Sequence, residues 1–126
     1  MAQKILVIDD DPSVVEIIQL TLESEGFQVS TATDSLEGVG MARREKPDLI
    51  FLDLSMPGLN GVEVCAQLKS DPRTKAIPIV MISARTFKED VRRGLEAGVE
   101  AYVTKPFDPL TLRDVIQNIL KRKISQ

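Results

Sequence analysis

The chain has 126 residues, a formal net charge of −3, one cysteine and no histidine. That length fits one domain, residues 1–126, burying roughly two-thirds of the surface its unfolded chain exposes, and acidic and basic residues are intermixed, with no basic stripe or tail to argue for direct nucleic-acid or membrane-surface binding. The missing histidine removes a His-based general acid, a His metal ligand and a His phosphocarrier from this chain, the lone Cys65 excludes an intramolecular disulfide, and no apolar run approaches the ~18 to 20 residues of a membrane helix.

In chain order, short apolar runs alternate about five times with segments carrying an apolar residue every three or four positions. The runs are Ile5–Ile8, Gln28–Ala32, Leu49–Leu52, Ile79–Ile82 and Ala101–Val103. Between them, Val14, Val15, Ile18 and Leu22 share one helical face, as do Leu36, Val39 and Met41 or Ala42, and then Val62, Cys65 and Leu68. Leu95 anchors a fourth face, and Leu112, Val115, Ile116 and Ile119 form a fifth. Asp11-Pro12, Asp34-Ser35 and Asp108-Pro109 read as helix starts, while Gly26 and Gly98 read as stops. The opening Met1-Ala2-Gln3-Lys4 is not the basic-then-apolar pattern of a secretory signal, so a reducing cytoplasm is the expected setting.

Strands too apolar to face water, alternating with helices, imply an α/β fold: a doubly wound five-stranded parallel sheet with helices on both faces and right-handed crossovers. Ligands of such sheets bind beyond the carboxyl ends of the strands. The residues at those exits are Asp9, Asp10 and Asp11, then Asp53, Ser83, and Thr104 with Lys105-Pro106. Strand two ends in Thr33 and Asp34, ordinary capping residues. Two carboxylates ~5 Å apart cost about 3 kcal/mol at an effective dielectric near 20, a cost a divalent cation offsets. Oxygen ligands without histidine or paired thiols point to Mg2+, with Mn2+ as the other candidate. Asp53 can be both a metal ligand and a nucleophile that becomes an acyl phosphate; Lys105 supplies fixed positive charge and Ser83 a hydrogen-bond donor for phosphoryl oxygens.

With "ILVIDDDP", "PDLIFLDLSMPGLNG", "IPIVMISA" and "AYVTKPF" in that order, essentially the whole chain resembles a response-regulator receiver domain of two-component signalling. The resemblance implies a flavodoxin-like sheet of order 2-1-3-4-5. It implies that Asp10 binds magnesium directly and Asp9 through water, that Asp53 is phosphoacceptor and ligand, and that the main-chain carbonyl of Ser55 completes the protein ligands. It makes Ser83 the switch hydroxyl, Tyr102 the switch aromatic, Lys105 the phosphate-binding lysine and Lys105–Pro106 a cis peptide. The phosphoryl donor is then a phosphohistidine on a sensor histidine kinase or histidine phosphotransfer protein, and the output a changed fourth-helix, fifth-strand and fifth-helix surface that controls a protein target. The implied molecule is a monomer or a phosphorylation-induced dimer. It is not an enzyme beyond catalysing its own phosphoryl transfer and dephosphorylation. Ser55 and Arg85 fall at positions that vary widely between receivers and bear on phosphoryl lifetime.

Two other readings weigh less. A haloacid-dehalogenase-type phosphatase also uses an aspartyl nucleophile on a parallel sheet but wants a second acid two positions later, where this chain has Ser55. A pseudo-receiver that binds partners without phosphorylation does not require the complete acid, hydroxyl and lysine set. No phosphate-cradling glycine loop supports an NTPase. Cys65 reads as a small core residue, Asp11 as a helix cap, and Lys121 to Lys123 as a solvated helix end or the start of a linker.

Overall fold

The computed structural model describes residues 3–53, 61–83, 88–104 and 108–124. Within them, strands and helices alternate as β1 (Lys4–Ile8), α1 (Pro12–Ser24), β2 (Gln28–Ala32), α2 (Ser35–Glu45), β3 (Leu49–Asp53), α3 (Gly61–Ser70), β4 (Ile79–Ser83), α4 (Lys88–Ala97), β5 (Ala101–Thr104) and α5 (Pro109–Ile124). The helix starts are set by local chemistry. Asp11 accepts from Ser13 N at 2.9 Å with Pro12 in the first turn, Asp34 accepts from Leu36 N and Glu37 N, and Asp108 accepts from Leu110 N. Gly26 and Gly98 carry φ of +93° and +103°, the left-handed geometry that stops α1 and α4 and that a side chain would strain. Helix α2 stops without a glycine: Lys46 takes that conformation at φ 47°, which its sequence does not announce.

All strand pairs are parallel, in the order β2-β1-β3-β4-β5. Strand β3 is the middle of the sheet and buried along its whole length, whereas β2 at one edge is mostly half-buried and carries Gln28, Ser30 and Thr31. Side chains of successive strand residues alternate between two cores. Ile5, Val7, Leu49, Phe51, Val80, Ile82 and Val103 meet α1 and α5 through Val15, Ile18, Leu22, Leu112, Ile116 and Ile119. Leu6, Ile8, Ile50, Leu52, Ile79 and Met81 meet α2 and α3 through Val39, Ala42, Val64, Cys65 and Leu68. Helix α4 lies on that second face, where a side chain at Gly94 would meet Met81 Sδ at 2.9 Å. Each fully buried aliphatic side chain contributes about 1.5 to 3 kcal/mol.

Two apolar positions depart from the faces read in the sequence: Leu36 is 69% exposed and Leu95 is 54% exposed. In α2 the inward positions are Ser35, Gly38, Val39 and Ala42, and in α4 Gly94 is buried. A helix that approaches the sheet closely has room only for small side chains at the contact, so the neighbouring leucine faces out.

Candidate functional site

The register Ile8↔Leu52 between β1 and β3 sets the residues following β1 beside the end of β3. Asp53 is the last residue of β3, one position further into the strand than the apolar run alone indicates, and Asp9 and Asp10 follow β1 directly. Asp9 is 1% exposed, Asp53 5% exposed, and Asp10 exposed. One carboxylate oxygen from each of the three lies within 4.8 Å of the others. Asp9 N donates to Ala32 O at 3.1 Å, which ties the start of this loop to β2, and Asp9 Oδ1 accepts from Asp11 N at 2.9 Å. Asp11 itself turns away to cap α1, as its place before Pro12 implies.

Three carboxylates drawn from two strand ends, two of them buried, form a hard, all-oxygen donor set. Three carboxylates at this spacing repel one another, and a divalent cation among them would offset that repulsion. The donors fit magnesium or manganese and not a soft-ligand metal. Asp9, Asp10 and Asp53 are the candidate protein ligands.

The other strand ends gather at the same edge. Asp53 pairs with Ile82, and Ser83, last in β4, pairs with Thr104, last in β5. This sets the Ser83 backbone one strand from Asp53. Tyr102 pairs with Met81, is half-buried, and packs against the core shared with α2 and α3. Ser55, Arg85, Lys105 and Pro106 lie outside the described residues; Lys105 follows the end of β5 in sequence. Cys65 is a buried core residue whose Sγ donates to Ala97 O at 3.2 Å, with burial pushing its thiol pKa up.

The response regulator receiver domain family matches residues 5–117. The chain belongs to that family of two-component receivers. This receiver is 43% identical over 122 residues to the DNA-binding response regulator MtrA of Mycolicibacterium smegmatis, a match covering 97% of the chain and 52% of MtrA. It therefore spans about half the length of that curated relative. Among solved structures it resembles a putative response regulator from Chloroflexus aurantiacus with TM-score 0.92 and 32% identity, over 96% of this chain and 99% of that one. It also resembles the receiver domain of a sensor histidine kinase from Pseudomonas aeruginosa, a structure with a magnesium ion coordinated in its active-site cleft. That likeness has TM-score 0.87 and 28% identity, over 94% and 97% of the two chains. The flavodoxin-like order 2-1-3-4-5 and the receiver assignment both stand.

The site was legible from its strand-exit carboxylates. One polar cluster at the other end of the molecule was not: Arg43, Asp71 and Arg73 come together from segments far apart in sequence. Among the described residues no helix is long and apolar enough to cross a membrane.

Proposed function

We propose that this receiver is a phosphorylation-activated switch in which Asp53 accepts a phosphoryl group from a phosphohistidine of a sensor histidine kinase or histidine phosphotransfer protein. The histidine N–P bond breaks as the Asp53 O–P bond forms. The carrying observation is Asp53 itself, buried at the end of the central strand with the carboxylates of Asp9 and Asp10 beside it. Asp9, Asp10, Asp53 and, by the family resemblance, the main-chain carbonyl of Ser55 would hold a magnesium ion, which would supply positive charge against the carboxylates' repulsion and for the phosphoryl oxygens, as the magnesium in the Pseudomonas receiver's cleft suggests by analogy. In this reading Lys105 balances charge on those oxygens, and Ser83 donates a hydrogen bond to one of them.

The phosphoryl oxygens draw Ser83 toward them, and Tyr102 moves toward the space it leaves. The half-buried position of Tyr102 on β5, beside Met81 of β4 and on the α2 and α3 side, supports this role. The α4–β5–α5 surface then favours a different protein partner, the modification biasing an equilibrium that already exists. The chain turns over no separate substrate in this scheme and works in the cytoplasm. The DNA binding stated in MtrA's name belongs, in this reading, to the half of that protein outside the match.

Intact-mass spectrometry after incubation with acetyl phosphate tests the proposal. The expected result is a gain of one phosphoryl group that requires magnesium and is absent in Asp53→Asn. No gain from several small donors and a partner kinase overturns it in favour of a phosphorylation-independent interaction module.

A further inference from the structure

At the opposite end of the sheet from the carboxylate cluster, the end of α2 and the turn after α3 enclose an open cleft of about 490 Å³. Arg43, Gln67, Ser70, Asp71, Pro72 and Arg73 line it. Asp71 organises it. Its side chain is nine-tenths buried, at 10% exposure, and its Oδ2 accepts from Arg43 Nε at 2.8 Å and from Arg73 Nη2 at 2.9 Å. Its Oδ1 accepts from Arg73 Nε at 3.1 Å and from Arg73 N at 2.8 Å. These donors hold the Asp71 carboxyl well below the usual carboxylate range. Two guanidiniums from separate segments, which repel each other in isolation, are thereby fixed side by side.

One guanidinium neutralises one carboxylate, so the second leaves the cleft cationic. Lys69 adds a further cation beside this turn, its Nζ donating to Lys75 O and Ile77 O. Segments 43–46 and 69–75 together hold six cationic and two acidic side chains in a chain of net charge −3. Arg43 engages Asp71 through Nε, and among the described residues its two Nη groups make no hydrogen bond. The lining contains no aromatic ring and no apolar residue besides Pro72, so it suits a compact polar anion and not a nucleobase. Planar, preoriented guanidinium groups match the oxygens of a phosphate.

We infer that this cleft is a phosphate site, taking inorganic phosphate or the phosphate of a small monoester on Arg43 and Arg73, with Asp71 as the positioning group. It is separate from the Asp53 site and does not depend on the switch proposed for it. The test is a backbone-amide NMR titration of the whole chain with inorganic phosphate, without divalent cation and against sodium chloride at equal ionic strength. Saturable shifts at Gln67, Ser70, Asp71 and Arg73 are expected, with affinity at least about tenfold weaker in Arg43→Gln and in Arg73→Gln, the loss of a charge-assisted hydrogen bond. Arg43→Lys keeps the charge and loses the planar fork, and should fall between; it carries the comparison if a glutamine variant disturbs the turn. Glycerol phosphate saturating the same amides extends the site to monoesters, whereas phosphate binding alone assigns it to the free ion. Shifts that never saturate, that sodium chloride reproduces, that centre on Asp9, Asp10 and Asp53, or that survive both glutamine variants overturn the inference.

Discussion

The two faces of the sheet are built differently. On the α1 and α5 side, large aliphatic residues from both helices fill the space over Phe51, with Ile18, Leu22, Leu112 and Ile116 fully buried. On the other side, α2 and α4 come in on small residues. A Cβ at Gly38 would lie 2.7 Å from Ile8 Cδ1, 2.8 Å from Cγ1 and 2.9 Å from Cγ2, and one at Gly94 would lie 2.9 Å from Met81 Sδ. The first face is held by volume and the second by proximity. That proximity falls on Ile8, the residue before Asp9.

The largest effect expected from breaking this contrast is on the first face. Phe51→Ala should destabilise the protein by about 3 to 5 kcal/mol, read as a lower urea midpoint at unchanged slope. Next comes the second face, where adding volume is the injury. Gly38→Ala should cost about 1 to 3 kcal/mol, because Cγ1 and Cγ2 of Ile8 are attached directly to its Cβ and cannot both turn aside. Gly40→Ala two positions on should do the reverse and stabilise by about 0.5 to 1 kcal/mol, since its Cβ would meet only Arg44 Nη1, the end of a flexible side chain, at 3.3 Å. Opposite signs within one helix are the sharpest test of the close approach. Chemical denaturation of both variants reads it directly.

The second face also has an outer clip, because Arg43 of α2 reaches Asp71 after α3. Asp71 has a folded-state pKa below its ordinary value of 3.8, chiefly through hydrogen bonds from Arg73 and with Arg43 adding to them. A depressed carboxyl pKa contributes stability that is fully present above the ordinary value and is lost as pH falls below it. Asp71→Asn should therefore lower stability at neutral pH and flatten its decline below about pH 4. Thermal melts of the two proteins across that acid limb check the sign.

How much of this was readable follows from the same contrast. Strands buried on both faces leave continuous apolar runs, and the charged or hydroxylic residue ending each run marks the sheet's functional edge; hence Asp9, Asp53 and Ser83 were found. Large aliphatics at helical spacing likewise betray α1 and α5. Contact through small residues leaves no apolar signal, since Ser35, Gly38 and Gly94 look like gaps in a hydrophobic pattern, and the eye moves to the nearest leucine. The left-handed Lys46 was hidden because glycine usually marks that conformation. The Arg43–Asp71–Arg73 cluster was hidden because Arg43 and Asp71 are 28 positions apart and only the packing of α2 beside α3 joins them.

Those misread leucines supply the smallest effect and a strict one. Leu36 and Leu95 are 69% and 54% exposed, so truncating either removes little buried area and leaves no enclosed cavity. Alanine is also at least as good a helix former as leucine. Leu36→Ala and Leu95→Ala should each change stability by no more than about 0.5 kcal/mol, while Leu22→Ala, at a position fully buried on the first face, should cost about 2 to 5 kcal/mol. Urea titration of the three variants separates these outcomes cleanly. If Leu36→Ala cost as much as Leu22→Ala, α2 would have to sit on the sheet through its leucine, and the close contact of Gly38 with Ile8 would be wrong.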